Sequence, residues 1–125
     1  MDITPLVPAG RQLIQSYGAG RFKVSGVAFE GPILVLPDRT MAWTVTAPDG
    51  LTFESLAAVV EAETRPEVLL FGAGRRGVLV APALRAALKA AGIVVETMDT
   101  GAACRTFNVL SGEDRRVAAA LIPLP

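Results

Sequence analysis

Glu67-Val-Leu-Leu-Phe71-Gly72-Ala-Gly74-Arg-Arg-Gly77 decides how this chain of 125 residues is read. An unbroken apolar run of this length, bounded by glycine, is the pattern of a strand buried on both faces. Downstream, Ala83 to Ala91 places Leu84, Ala87, Leu88 and Ala91 on one helical face. Pro82 suits the first helical turn, where its missing N–H is no loss, and Gly92 suits the position just past the end. Ile93-Val-Val95 then forms a second apolar run and ends in Glu96. Strand, G-x-G-x-x-G, helix, strand, acid is also the order of a dinucleotide-binding fingerprint. One feature argues against that function. Val78-Leu-Val-Ala81 separates Gly77 from Pro82, so the helix starts about one turn too late for its free N–H groups to meet a pyrophosphate. The plainer expectation is a strand-end turn in which glycine supplies a positive φ or a close backbone approach. With Arg75 and Arg76, such a turn could also form a small anion-binding concavity.

Working outward, the amino-terminal half reads as strands. Leu13 to Tyr17 precedes the Gly18-Ala-Gly20 turn, and Phe22 and Val24 alternate with Arg21, Lys23 and Ser25. Ile33 to Leu36 is an apolar run, and Met41, Trp43 and Val45 alternate with Ala42, Thr44 and Thr46 before Pro48-Asp-Gly50. Short connections predict an antiparallel meander. A helix is expected from Leu51-Thr52 to Arg65-Pro66, with Thr52 as N-cap, Leu51 and Leu56 as staple, and Phe53, Leu56, Ala57 and Val60 on its buried face. Trp43 is expected in the core. Past Glu96, Asp99 or Thr100 caps a third helix running to about Leu110, with Ala103, Phe107 and Leu110 facing the core, and Arg116 to Leu121 forms a last strand. The expected architecture is α/β of mixed α+β character: one three-layer domain over residues 1–125, with a meander, then β-α-β-α-β, a mixed sheet and about three helices. Residues 1–10 are expected to form an irregular arm.

Composition excludes several kinds of chemistry. Histidine is absent, which removes the commonest general base and metal ligand, and no metal site is expected. A lone cysteine forms no internal disulfide. Lys and Arg total 12 and so do Asp and Glu, so no net field attracts nucleic acid. Neither a signal peptide nor a membrane-spanning run stands out, which predicts a cytoplasmic protein that is not integral to a membrane. No catalytic residue is assigned.

A second candidate surface lies on the third helix. Thr100, Cys104 and Asn108 are spaced four apart and stack on one face. The helix N-terminus and Arg105 would both lower the thiol pKa of Cys104, making it a candidate reactive or ligand-contacting group; the competing reading is a small buried hydrophobe. Gly72, Gly74, Arg75 and Arg76 on one side and Thr100, Cys104, Arg105 and Asn108 on the other therefore define a candidate cleft for a small anion or metabolite.

Across nearly the whole chain from Gln12, the blocks Tyr17 to Phe22, Gly31 to Pro37, Trp43, Leu69 to Arg75, Gly92 to Thr100, Ala103 to Leu110 and Glu113 to Leu121 follow in order. Together they resemble the family called domain of unknown function 498; Met98-Asp-Thr100 and Cys104-Arg-Thr-Phe-Asn108 are the most specific parts. That family includes small bacterial and archaeal proteins and a mitochondrial assembly factor of NADH dehydrogenase (complex I). The resemblance implies a three-layer α/β fold, no bound nucleotide or other cofactor, and no established catalytic residues. For the mitochondrial relatives it implies a chaperone-like role through protein contacts. The expected partner is accordingly a respiratory-complex subunit or another small protein, and self-association stays open.

Overall fold

The computed structural model describes residues 11–125 and builds a mixed α/β fold from eight strands and three helices. The expected arm at residues 1–10 lies outside the described residues. Strands β1 (Ile14–Gly18), β2 (Arg21–Val24) and β3 (Val27–Glu30) form an antiparallel sheet of their own. The second sheet contains β4 (Ile33–Val35), β5 (Thr40–Ala42), β6 (Val68–Gly72), β7 (Val94–Met98) and β8 (Val117–Leu121), in the order β5-β4-β8-β6-β7. Strand β8 pairs antiparallel with β4 and parallel with β6, so it joins the amino-terminal hairpin to the β6–β7 unit.

The expected meander is thus divided. Its first three strands leave at Gly31-Pro32, and the β4–β5 hairpin enters the mixed sheet. The expected strand through Val45 also stops early, at Ala42. The Trp43 N–H donates to the Pro32 carbonyl at 2.9 Å, and its Nε1 donates to the Ser55 carbonyl at 2.7 Å. Trp43 is buried as expected, edge-on to Phe71. Its indole anchors the loop that follows rather than extending a sheet.

The helix expected over residues 52–64 is reduced to a 3-10 turn, Glu54–Leu56, and one α-turn, α1 (Ala57–Val60). Thr52 does act as a cap: its Oγ1 accepts the Ser55 N–H at 3.0 Å, while Ser55 Oγ accepts the Thr52 N–H at 2.9 Å. The far end is closed by Arg65, whose Nε donates to the Val60 carbonyl at 2.9 Å. Leu56 and Val59 are the buried residues of this segment, whereas Phe53 is exposed. Helix α2 (Pro82–Ala90) starts at its proline as expected. It ends in a Schellman motif, with Gly92 N–H on the Lys89 carbonyl and Ile93 N–H on the Leu88 carbonyl, both at 2.9 Å. Asp99 caps α3 (Thr100–Gly112), its Oδ1 accepting the Ala102 N–H at 2.9 Å.

Alternation along the five-stranded sheet creates two cores. Leu34, Leu69, Phe71, Val95, Ala118 and Ala120 meet α1 and α2 through Leu56, Val59 and Leu88. Ile33, Val35, Leu70, Val117, Ala119 and Leu121 meet α3 and the small sheet through Ala103, Phe107, Phe22 and Val24. Burying each of these larger side chains contributes about 1.5–3 kcal/mol, which makes the central sheet the rigid element on which the loops are mounted. The alanines of β8 let both covering layers come close to the sheet.

Candidate functional site

Parallel pairing of β6 and β7 brings Gly72 opposite Met98, so the two candidate segments leave the sheet side by side. The Ala73 N–H donates to the Met98 carbonyl at 3.0 Å, and the Thr100 N–H donates to the Gly74 carbonyl at 2.8 Å. Thr100, fully buried, completes the junction. Its Oγ1 accepts the Gly74 N–H at 2.9 Å and donates to the Ile122 carbonyl at 2.6 Å. One hydroxyl therefore ties together the exits of β6 and β8 and the start of α3. Gly72 makes the close approach possible: a Cβ there would stand 2.8 Å from Leu121 Cδ2 and 3.0 Å from Thr100 Cα. Gly74 has a φ of +96°, so both proposed uses of glycine occur in the same turn.

The candidates on α3 are tied into the fold. Asn108 acts as a strand partner for β1, its Oδ1 accepting the Ile14 N–H at 2.9 Å and its Nδ2 donating to the Ile14 carbonyl at 2.8 Å. Cys104 is only 1% exposed. Burial pushes its thiol up to about 12; Arg105 pulls the other way with smaller effect, and Asp99 adds to the rise. Desolvation outweighs the nearby cation, so the surroundings of Cys104 are those of a small buried hydrophobe, one of its two sequence readings. Arg105 is exposed, and its Nη1 donates to the Tyr17 hydroxyl at 2.6 Å. Arg75 and Arg76 are exposed on the glycine turn.

The two loops are thus neighbours, joined to each other by the hydrogen bonds of Ala73, Gly74 and Thr100. Gly72, Gly74 and Thr100 form this junction, Cys104 is buried in the core on the α3 side, Asn108 is bonded to β1, and Arg75, Arg76 and Arg105 are exposed. Among the described residues, no group of three or more Cys, Asp or Glu side chains is arranged to hold a metal ion, and no buried side-chain nitrogen or oxygen lacks a partner.

Sequence reasoning missed a neighbouring surface. Beyond Gly77, the loop runs along the outer edge of β7, with the Val78 N–H donating to Thr97 Oγ1 at 3.2 Å. The next residue, Leu79, is 98% exposed. Further along the same edge, Arg85 Nη1 donates to the Val95 carbonyl at 2.7 Å. A groove of about 210 Å³ opens there between α2 and β7, lined by Arg85, Lys89, Ile93, Val94 and Val95. The available signal was the charge pattern: between Glu67 and Glu96 stand Arg75, Arg76, Arg85 and Lys89, and no acid.

Comparison with known proteins gives a consistent picture. Residues 14–122 match the family described as protein of unknown function DUF498/DUF598. Over 113 residues, 90% of this chain, the sequence is 41% identical to NADH dehydrogenase [ubiquinone] 1 alpha subcomplex assembly factor 3 of Danio rerio, of which it covers 65%. The chain thus spans just under two thirds of that relative. It is 36% identical over 117 residues to an uncharacterized protein of Rhodobacter capsulatus, covering 94% of this chain and 89% of that one. A crystal structure of a Bordetella parapertussis protein superposes with a TM-score of 0.84 at 38% identity, covering 94% of this chain and 99% of the other.

Proposed function

The chain belongs to the DUF498/DUF598 family of proteins of unknown function, and from that premise we propose that it is an assembly-factor-type protein that binds a protein partner, a subunit of respiratory NADH dehydrogenase, while the larger complex is built. The observation that carries this reading is the 41% identity to an NADH dehydrogenase assembly factor across 90% of the chain. That span includes both sheets and all three helices, so the shared part is a whole folded unit rather than a motif. The physical chemistry agrees. The polar residues that could have served a small-molecule cleft, Thr100 and Asn108, spend their hydrogen-bonding capacity on the fold, and the thiol is buried. Exposed side chains such as Leu79, Arg75 and Arg76 are free to meet another protein surface.

The test is affinity purification of the tagged protein from its own host under mild crosslinking, paired with a deletion strain. The reading expects recovery of an NADH dehydrogenase subunit and a lower level of assembled complex in the deletion. Clean purification of the protein alone, together with normal assembly in the deletion strain, would overturn it.

A further inference from the structure

We infer that the outer edge of β7, with the Leu79 loop on one side and the exposed face of α2 on the other, is the docking surface for an acidic, amphipathic segment of a partner protein. This rests on the protein-contact reading above and gives it a place and a chemistry.

The first observation is Leu79. A leucine that is 98% exposed has almost no contact with its own fold, and the Val78–Thr97 hydrogen bond beside it fixes where it stands. The second is charge. Although the chain is neutral, Arg75, Arg76, Arg85 and Lys89 follow one another with no acid between Glu67 and Glu96. Ion pairs among the described residues join Arg11 to Asp114, Arg21 to Glu30 and Arg115 to Glu67, so none neutralises these four cations. Glu96 alternates with Val95 along β7, which directs it to the opposite face of the sheet from the α2 side. The third is shape. The groove between α2 and β7 is lined by Arg85 and Lys89, one helical turn apart, together with Ile93 and Val95, which are fully buried. A cationic groove beside an exposed leucine fits a segment that alternates acidic and apolar residues. Arg85 already holds the Val95 carbonyl, so recognition proceeds through side chains and not by addition of a strand to β7.

The chain has two lysines, both exposed, and they report on different surfaces: Lys89 on α2, and Lys23 on the small sheet. The probe is an acetylated, amidated peptide of alternating glutamate and leucine, coupled to the intact protein with a carbodiimide that joins carboxylates to amines. Coupling at Lys89 should exceed that at Lys23 by about tenfold, the factor expected from one good charge-assisted contact. It should fall several-fold in Leu79→Ser, which leaves Arg85 and the fold untouched, and also when serine replaces leucine in the peptide. Equal coupling at the two lysines, no coupling, or indifference to Leu79→Ser would overturn the inference. So would Leu79-dependent sedimentation with phosphatidylglycerol vesicles without peptide coupling, which would assign the face to a lipid surface. Selective coupling with an unaffected deletion strain would instead leave this surface standing and remove the assembly role. Recovery of the same NADH dehydrogenase subunit by Leu79→Ser and wild-type protein would remove the surface and leave the role.

Discussion

Replacing Thr100 with valine removes one hydroxyl and preserves the shape of the side chain. It should be among the more damaging single changes in this protein. The hydroxyl serves two backbone groups, the Gly74 N–H at 2.9 Å and the Ile122 carbonyl at 2.6 Å. Valine satisfies neither, and its methyl group keeps water away from both. Each orphaned buried group costs about 1–3 kcal/mol; because Gly74 is only partly buried, the sum falls at about 2–4 kcal/mol. With a urea m value of about 2 kcal/mol per molar, that lowers the unfolding midpoint by about 1–2 M with the slope unchanged. Thr100→Ser keeps the hydroxyl and loses one methyl, which costs about 1 kcal/mol. Equilibrium urea unfolding followed by far-UV circular dichroism measures all three proteins. If valine lowers the midpoint by less than about 0.3 M, or if serine costs as much as valine, the hydroxyl is not the fastener described above.

Gly72→Ala should destabilise by about 1–3 kcal/mol through overpacking against Leu121 and Thr100, whereas Gly112→Ala, with nothing near its Cβ and no positive φ, should stabilise by about 0.4–1 kcal/mol; thermal unfolding separates the two signs. Asn108→Ala should cost about 2–4 kcal/mol and accelerate hydrogen exchange at the Ile14 amide beyond the change in global stability, as read by NMR; equal acceleration throughout the central sheet would refute the local clamp. Cys104 should resist iodoacetamide in the native state and react once the chain unfolds. Burial pushes the native thiol up from its ordinary value of 9.0 to about 12, so the unfolded chain loses its proton first. The contribution of this thiol to stability is accordingly complete below pH 9 and is lost as pH rises from 9 towards 12. Cys104→Ser should flatten that part of the pH profile, and an unchanged profile would contradict the burial argument.

The elements from Val68 to Gly92 were legible because their signals are local: an apolar run, a proline at the first helical turn and a glycine after the last. The Asp99 cap was legible for the same reason. The fastening role of Thr100 was not legible because its partners, Gly74 and Ile122, lie far away in sequence, and a hydroxyl carries no mark of which backbone groups it will serve. Cys104 shows the same limit in electrostatics. The helix terminus and Arg105 can be read from neighbouring letters, but desolvation depends on layers contributed by β1, β2 and β8. Trp43 was correctly assigned to the core and wrongly to a strand, because alternation cannot distinguish a pleat from a loop pinned by an indole. Leu79 was the least legible of all. A leucine among valines predicts burial, and its exposure follows only from the path the loop takes along β7.

The position of β8 has a consequence for how this molecule comes into being. It is the last of the described strands in sequence, yet it fills the centre of the sheet, between β4 and β6. Until residues 117–121 are available, the β4–β5 hairpin and the β6–β7 unit have no hydrogen-bonded connection, and each presents a raw edge. Pairs such as Ile33 with Leu121 close a loop over more than half of the chain. Folding during synthesis therefore cannot proceed as stepwise growth from one end; a nascent chain waits with two unfinished half-sheets until its centre arrives. Proteins dominated by such distant pairings fold slowly and are exposed to aggregation in the interval, which makes the alanine-rich strand Val117–Leu121 the keystone whose delay a cell would need to shelter.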